Sequence, residues 1–460
     1  MKLVEVRKDL IRVSLASIVS ILSGIIQGLL IPRFLNIIEY ADFKTFTLLA
    51  GYVGILHFGF SDGLYIKYGG FNKKILKSSE LKSNFIFLFF FQLIVFSGIF
   101  IFGIVYNYLF AYLALYGLPY NLLLGIKHIQ RAIGEFKKFS LLTVSESILK
   151  ISLFIFAIVS IQKLYSSYFI IILIVSQWLV FFLFWTRFFF NLTKETSKIK
   201  TSEIFNIFAS GFFIMMGNLS YTLFYSIDRW FVKLLLTTKD FAYYSFAASM
   251  MNMIVTFVAS ISMTFYPILV HEKNNNKLIK KLKTFLIILG AFASTTYFLF
   301  KIVLHIYLPN YIPSLDIISV LFAGFPAIAV INAIYVNLYK AQKVEKKYFF
   351  TVVSMAAVSF LLNLLAVIIN KSTVTIVVAT TIAFYFWFFY SSKDFEGTET
   401  NIKEIVYLIF FLILFFNTTR LFIWWMGLFV FILGVLIITI IFYKREFFDL
   451  ISKIFFLSKK

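Results

Sequence analysis

The stretch NFIFLFFFQLIVFSGIFIFGIVY, Asn84 to Tyr106, constrains this chain more than any other. It lacks the every-second-residue alternation of a barrel strand, and as a helix it is long enough to cross about 30 Å of hydrocarbon. A helix satisfies its backbone N–H and C=O groups within one segment, as a lipid environment requires. Comparable runs recur along the 460 residues, which are 61% hydrophobic and only 14% charged. Soluble proteins carry about 25% charged residues, so too little polar surface exists to dissolve this chain. The expected fold class is an all-α polytopic membrane protein.

Fourteen spans are expected, near 13–31, 44–66, 84–105, 108–126, 140–160, 165–186, 204–227, 242–267, 284–306, 314–338, 348–369, 372–390, 404–417 and 421–443. The thirteenth is the shortest. The first follows Lys2, Arg7, Lys8 and Arg12, has no small-residue cleavage site after a short core, and reads as a retained span. With the N-terminus inside, the inner segments hold 33 of the 43 Lys and Arg, which places both termini on the cytoplasmic side. The net charge of +22 is thus a topology signal and a contact with anionic membrane lipid. Spread over eight loops, it forms no single patch and implies no nucleic-acid partner.

Weak internal matches share one order and similar spacing. ADFKTFTLLAG (41–51) resembles KDFAYYSFAAS (239–249), GLP (117–119) recurs as GFP (324–326), and EFKKFS (135–140) as VEKKYF (344–349). Two pseudo-symmetric six-helix lobes in parallel orientation follow, residues 1–203 and 204–392, around a central cavity. Residues 393–460 add two further transmembrane helices.

The chain has no cysteine, which excludes disulfides and thiolate chemistry. Its four histidines are scattered without metal-ligand spacing, and no phosphate-binding GxxxxGK[ST] loop occurs. No cofactor or metal is expected, and nothing points to an enzyme.

The chemistry-bearing candidates are charges set among apolar residues. VSESILKISL (Val144–Leu153) carries Glu146 and Lys150 four residues apart on one helical face, where they can pair. If the span begins near Ser140, they lie about 9 Å and about 15 Å inside it. An unpaired charge at such depth costs roughly 2.5–3.5 kcal/mol, so these face either each other, as a packing clasp, or a wet interior. Arg33, and SIDRWFVK with Asp228 and Arg229, sit at outer helix ends against the positive-inside trend. They read either as a solvated rim or as an anion-holding mouth. Asp62, in GFSDGLYIKYGG, is expected to pair with Lys67 at a helix end or to bind a coupling cation. The amides Gln27, Gln177, Asn218, Asn252, Asn332 and Asn363 read as interhelical glue, and the Phe-rich runs as lipid-facing bulk.

The segment IPRFLNIIEYADFKTFTLLAGYVGILHFGFSDGLYIKYGG resembles the opening of polysaccharide flippases of the multidrug/oligosaccharidyl-lipid/polysaccharide exporter (MOP) superfamily. In that family an Arg-Phe-Leu turn closes the first span. SIDRWFVKLLLTTKDFAYYSFAASM is similar to its Asp-Arg and Tyr-Ser-x-Ala pattern around spans 7 and 8. Twelve helices plus two also match. The resemblance implies translocation of undecaprenyl-pyrophosphate-linked oligosaccharide to the outer leaflet of a bacterial plasma membrane by alternating access, for O-antigen or capsule synthesis. It further implies coupling to H+ or Na+, and a polysaccharide polymerase and chain-length machinery as partners. Arg33, Asp228 and Arg229 are carried over from the matched motifs, whereas Lys150 and Glu146 rest on depth. The competing readings are a multidrug or metabolite antiporter of the same superfamily, a lipid II flippase, and a membrane glycosyltransferase or ligase, for which no catalytic constellation is visible.

Overall fold

The computed structural model describes residues 3–69, 78–190, 192, 196–198, 200–272 and 275–457. Gly70 and the basic residues of 71–77 lie outside them. Among the described residues no strand occurs. Twelve helices are long and apolar enough to cross a membrane, and counting each of two bent pairs as one span gives fourteen. Every expected span falls on one of these. The thirteenth extends to Ile402–Leu421 because Thr418 and Thr419 turn their hydroxyls onto the carbonyls of Leu414 and Phe416 within the same helix. Polar residues that looked like a span end thus continue the helix.

The chain divides into two compact units, Met1–Leu223 and Phe224–Lys460. The first contains α1 (Leu3–Phe34), α2 (Ile37–Ala50), α3 (Phe60–Tyr68), α4 (Ser78–Tyr106), α5 (Tyr108–Ala132), α6 (Phe136–Ser160), α7 (Ser166–Phe190) and nearly all of α8 (Thr201–Phe224). Asn36 and Asn107 cap α2 and α5 by accepting from the N–H groups of Glu39 and Leu109. Helix α8, expected to open the second lobe, packs on α3 so closely that a Cβ on Gly63 would lie 1.9 Å from the Ile207 carbonyl oxygen.

The span formed by α2 and α3 is broken. A 3-10 turn over Val53–His57 leads into Phe58 and Gly59, both left-handed, and the chain bends by 54°. Carbonyls freed at a break inside lipid need partners. Here Gln92 of α4 donates to the Leu56 carbonyl at 3.1 Å, and Asn121 of α5 donates to Val53 at 3.1 Å and to Gln92 at 2.8 Å. Around the break Phe60, Phe85, Leu88, Leu122, Ile126 and Ile129 form a buried core, with Phe60 packed against Phe87 and Phe208. The Phe-rich runs are therefore divided between two roles. Phe90, Phe156 and Phe182 are exposed as expected, but Phe43, Phe46, Phe60, Phe85 and Phe154 are fully buried. Lipid gives no hydrophobic drive for helix association, so close contact and edge-to-face ring packing supply it.

The second unit runs from α9 (Ile227–Leu235) and α10 (Thr238–His271) through α11 (Asn276–Ala293), α12 (Thr296–Ile306), α13 (Ser314–Phe322), α14 (Phe325–Val330), α15 (Val336–Ala341), α16 (Glu345–Ile369) and α17 (Thr373–Ser391) to α18 (Ile402–Leu421) and α19 (Trp424–Leu457). The α13 and α14–α15 pair is bent by 51°, and a π-helical turn over Ile331–Tyr335 lies within it. The two additional helices expected over 393–460 are α18 and α19 of this unit. There α19 packs on α11 and α12, and Lys283 of α11 is locked to Glu404 of α18.

Candidate functional site

Helix α6 spans 25 residues, and Lys150 lies near its middle. Glu146 and Lys150 share a face, but the clasp, one of the two readings of the pair, is not what engages Glu146. The Glu146 carboxylate is taken instead by Lys127 of α5, with the two side chains 15% and 18% exposed. Lys150 lies within electrostatic reach of both, is partly buried, and has no hydrogen-bond or ion-pair partner among the described residues. The cluster therefore holds two cations against one carboxylate. Beside it, Ser147 lies 3.2 Å from Ser20 of α1, and the rings of Tyr116 and Tyr120 stack along α5 within electrostatic range of Glu146.

Lys127 does not stand out in the sequence, because it sits where the apolar run gives way to basic residues just beyond the span expected near 108–126. In fact α5 continues to Ala132, since Ile126 and Ile129 are buried on its other side. The signal was the helical spacing in GIKHIQRA: Lys127 and Arg131 are four residues apart. Arg131 is exposed and lies over the rings of Tyr65 and Phe139.

Asp62 does not pair with Lys67, which binds Glu80 at 2.6 Å. It is buried in the first unit between two histidines. His57 Nε2 lies 3.6 Å from one carboxylate oxygen and His128 Nδ1 lies 3.8 Å from the other. His57 precedes Asp62 by only five positions, but His128 lies 66 positions beyond it, so no periodic signal could bring the second histidine to the cluster.

In the second unit Asp228 is buried and well satisfied. Its carboxylate accepts from the Tyr244 hydroxyl at 2.8 Å, the Thr380 hydroxyl at 3.4 Å and the Arg229 backbone N–H at 2.7 Å, which ties α9 to α10 and α17. Arg229 is partly buried, donates to the Tyr225 carbonyl at 3.3 Å, and keeps a buried Nε without a partner. Of the expected amide contacts, Asn332 bonds Tyr225 at 3.1 Å, whereas Asn363 bonds Ser359 inside its own helix. Arg33 is exposed in the last turn of α1, just after Pro32. Thus Lys150, Glu146, Asp62 and Arg33 belong to the first unit, and Asp228 and Arg229 to the second. Among the described residues no group of three His, Asp or Glu could hold a metal ion.

No protein-family profile and no curated relative matches the chain. Solved structures do. One described as lipid II flippase MurJ in an inward-closed conformation superimposes with a TM-score of 0.72 at 16% identity, over 95% of this chain and 99% of that one. The MATE multidrug transporter DinF-BH gives 0.56 at 13% identity, over 85% and 94%. An inward-facing multidrug resistance MATE transporter of the MOP superfamily gives 0.58 at 12%, over 84% and 95%. This chain shares the fold of these structures. Identities this low establish the fold and leave activity and cargo to the site.

Proposed function

We propose that this protein is a flippase that carries an undecaprenyl-pyrophosphate-linked oligosaccharide unit from the inner to the outer leaflet of a bacterial plasma membrane. It works by alternating access, with both termini cytoplasmic. The observation that supports this reading best is the Lys127–Glu146–Lys150 cluster. A diphosphate entering hydrocarbon must exchange its hydration shell for fixed cations, while its prenyl tail stays in lipid. Lys150 has no competing partner among the described residues, and the cluster's excess positive charge suits an anion. Arg33 and Arg229 are assigned to later contacts with the same diphosphate or its sugars, Arg229 through its unpartnered Nε. A polysaccharide polymerase and its chain-length machinery would consume the product.

Transport against a gradient needs a coupling ion, H+ or Na+, with Glu146, Asp228 and Asp62 as the candidate carboxylates. Asp228 already accepts three hydrogen bonds and Glu146 is ion-paired, which leaves Asp62 as the most adjustable of the three.

A lipid II flippase is the second reading. It is favoured by the higher TM-score and by the near-complete coverage of the MurJ structure. Its cargo presents the same prenyl diphosphate, so the cluster serves both. An organic-cation antiporter is disfavoured by the cluster's sign. The test is leaflet transfer in proteoliposomes of a fluorescent undecaprenyl-pyrophosphate oligosaccharide, of lipid II, and of an organic cation. Transfer of the oligosaccharide lipid, reduced at least about tenfold by Lys150→Ala, is expected. Transfer of lipid II alone would establish the second reading, and transfer of the cation alone would refute both.

A further inference from the structure

The break in the first unit's second span is bridged by titratable groups, of which the proposed function uses only Asp62, as a candidate coupling carboxylate, and the inference deepens that part of it. His57 is the last residue of the 3-10 turn and Asp62 lies in the first turn of α3, with left-handed Phe58 (φ 53°) and Gly59 (φ 87°) between them. A left-handed residue other than glycine costs about 1–2 kcal/mol and persists only where its surroundings hold it. On the far side, α3 cannot slide freely against α8. A Cβ on Gly59 would meet Gly211 backbone at 2.8 Å, and one on Gly211 would meet the Gly59 oxygen at 2.0 Å.

The hydrogen positions follow from the partners. Gly59 N–H donates to His57 Nδ1 at 3.0 Å, so that nitrogen accepts, and in the neutral ring Nε2 carries the hydrogen toward Asp62. His128 Nδ1 lies 3.2 Å from the Ser61 carbonyl, which can only accept, so Nδ1 carries its hydrogen there and toward the other oxygen of Asp62. Each carboxylate oxygen thus faces an imidazole N–H. Of the acceptor nitrogens, His57 Nδ1 is occupied, and His128 Nε2 has no partner among the described residues. The other charged or titratable groups near the cluster are Arg131 and Lys127 of α5, both within electrostatic range of His128, and Tyr65 of α3, whose ring contacts both His128 and Arg131. At the end of α3, Lys67 and Tyr68 meet Glu80 of α4, within electrostatic range of Glu203 of α8. Where α8 touches α3 it presents Ile207 and Gly211, neither of which titrates.

We propose that Asp62, His57 and His128 form a proton-binding site that sets the bend of this broken span. The proton comes from water and adds to the Asp62 oxygen that faces His57, so that a carboxylic O–H meets the Nε2–H of that ring. The cluster gains one positive charge, and no covalent bond other than O–H is made. Asp62 keeps His128 on α5 through its other oxygen and releases His57 across the break, so the angle between the turn and α3 changes. A proton on His57 instead would put Nδ1–H against the Gly59 N–H and remove the bond that closes the turn, which also alters the bend. Because the groups interact, they titrate as one cluster rather than as separate residues. This inference does not rest on the identity of the cargo, and it is read without one.

The chain's lack of cysteine permits a direct test in the full-length protein. Ile38→Cys in α2 and Ile66→Cys in α3, both at exposed positions, are spin-labelled in nanodiscs, and their distance distribution is measured from pH about 8 to about 5, where histidine clusters titrate. Helix α3 is about 13 Å long, so a change of about 15° in the bend moves its end by about 3 Å. The expected result is a reversible shift of that size. It should be absent in His128→Gln and in Asp62→Asn, each held at one distance across the range. Should either variant fail to give monodisperse protein, His57→Gln is read by the same criterion. An unmoved distance in the parent protein, or a full shift in correctly folded His128→Gln, would overturn the proposal.

Discussion

Each unit contains a lysine–glutamate pair within its helices, and the two pairs are built differently. In the second unit Lys283 and Glu404 are 0% and 1% exposed. The ammonium makes three hydrogen bonds: to Glu404 at 2.7 Å, to the Thr398 carbonyl at 2.7 Å and to the Thr400 hydroxyl at 3.3 Å. It has three donors and all are used, so nothing is left for a ligand. That pair fastens α18 to α11. In the first unit Lys127 and Glu146 remain partly exposed, and a second cation, Lys150, stands by with no partner among the described residues. A closed, neutral, fully bonded pair is structural. An open cluster with surplus charge is what an anionic cargo can use.

This contrast can be broken by making the same kind of change in both places. Lys283→Ala strands Glu404 in the interior and is expected to destabilise the protein by about 3–5 kcal/mol, read as a lowered unfolding midpoint in detergent. The double replacement Lys283→Met/Glu404→Leu should recover most of that loss, and no recovery would mean the pair does more than hold helices together. Lys150→Ala should leave the midpoint within about 0.5 kcal/mol while weakening undecaprenyl pyrophosphate binding about tenfold, equivalent to about 1.4 kcal/mol. The double variant Glu146→Ala/Lys150→Ala should still bind less tightly than the parent protein, and full restoration of binding would argue that Glu146 and Lys150 form a clasp. Glu146→Gln sharpens the comparison, because it frees Lys127 and should raise diphosphate affinity a few-fold. The smallest effect is expected for Thr400→Val, which removes the longest of the three bonds to Lys283 and should cost about 0.5–1.5 kcal/mol.

Much of the architecture was legible in the sequence. Span number and location follow from long apolar runs, because lipid forces each run into a self-satisfied helix. Glu146 and Lys150 were legible as charges out of place, since their depth needed only a rise per residue. Their partners were not. Lys127 reaches Glu146 from another helix, Asp62 meets His128 across 66 positions of sequence, and Lys283 meets Glu404 across 121. Helical periodicity describes neighbours three and four residues apart and is silent about which helices lie side by side. The same limit explains the Phe-rich runs, where lipid-facing and core-facing rings have identical composition. The close seating of α8 on α3 was also hidden, because the glycines that allow it look in sequence like any small residue in a span.

The central claim is that an open cationic cluster in the first unit holds a prenyl diphosphate. Its most direct test is native mass spectrometry of the intact protein titrated with undecaprenyl pyrophosphate and with undecaprenyl monophosphate. The account predicts a preference for the diphosphate in the parent protein that largely disappears in Lys150→Ala, while general lipid binding is unchanged. Equal affinity for the two lipids, or a diphosphate preference that survives Lys150→Ala, would contradict it.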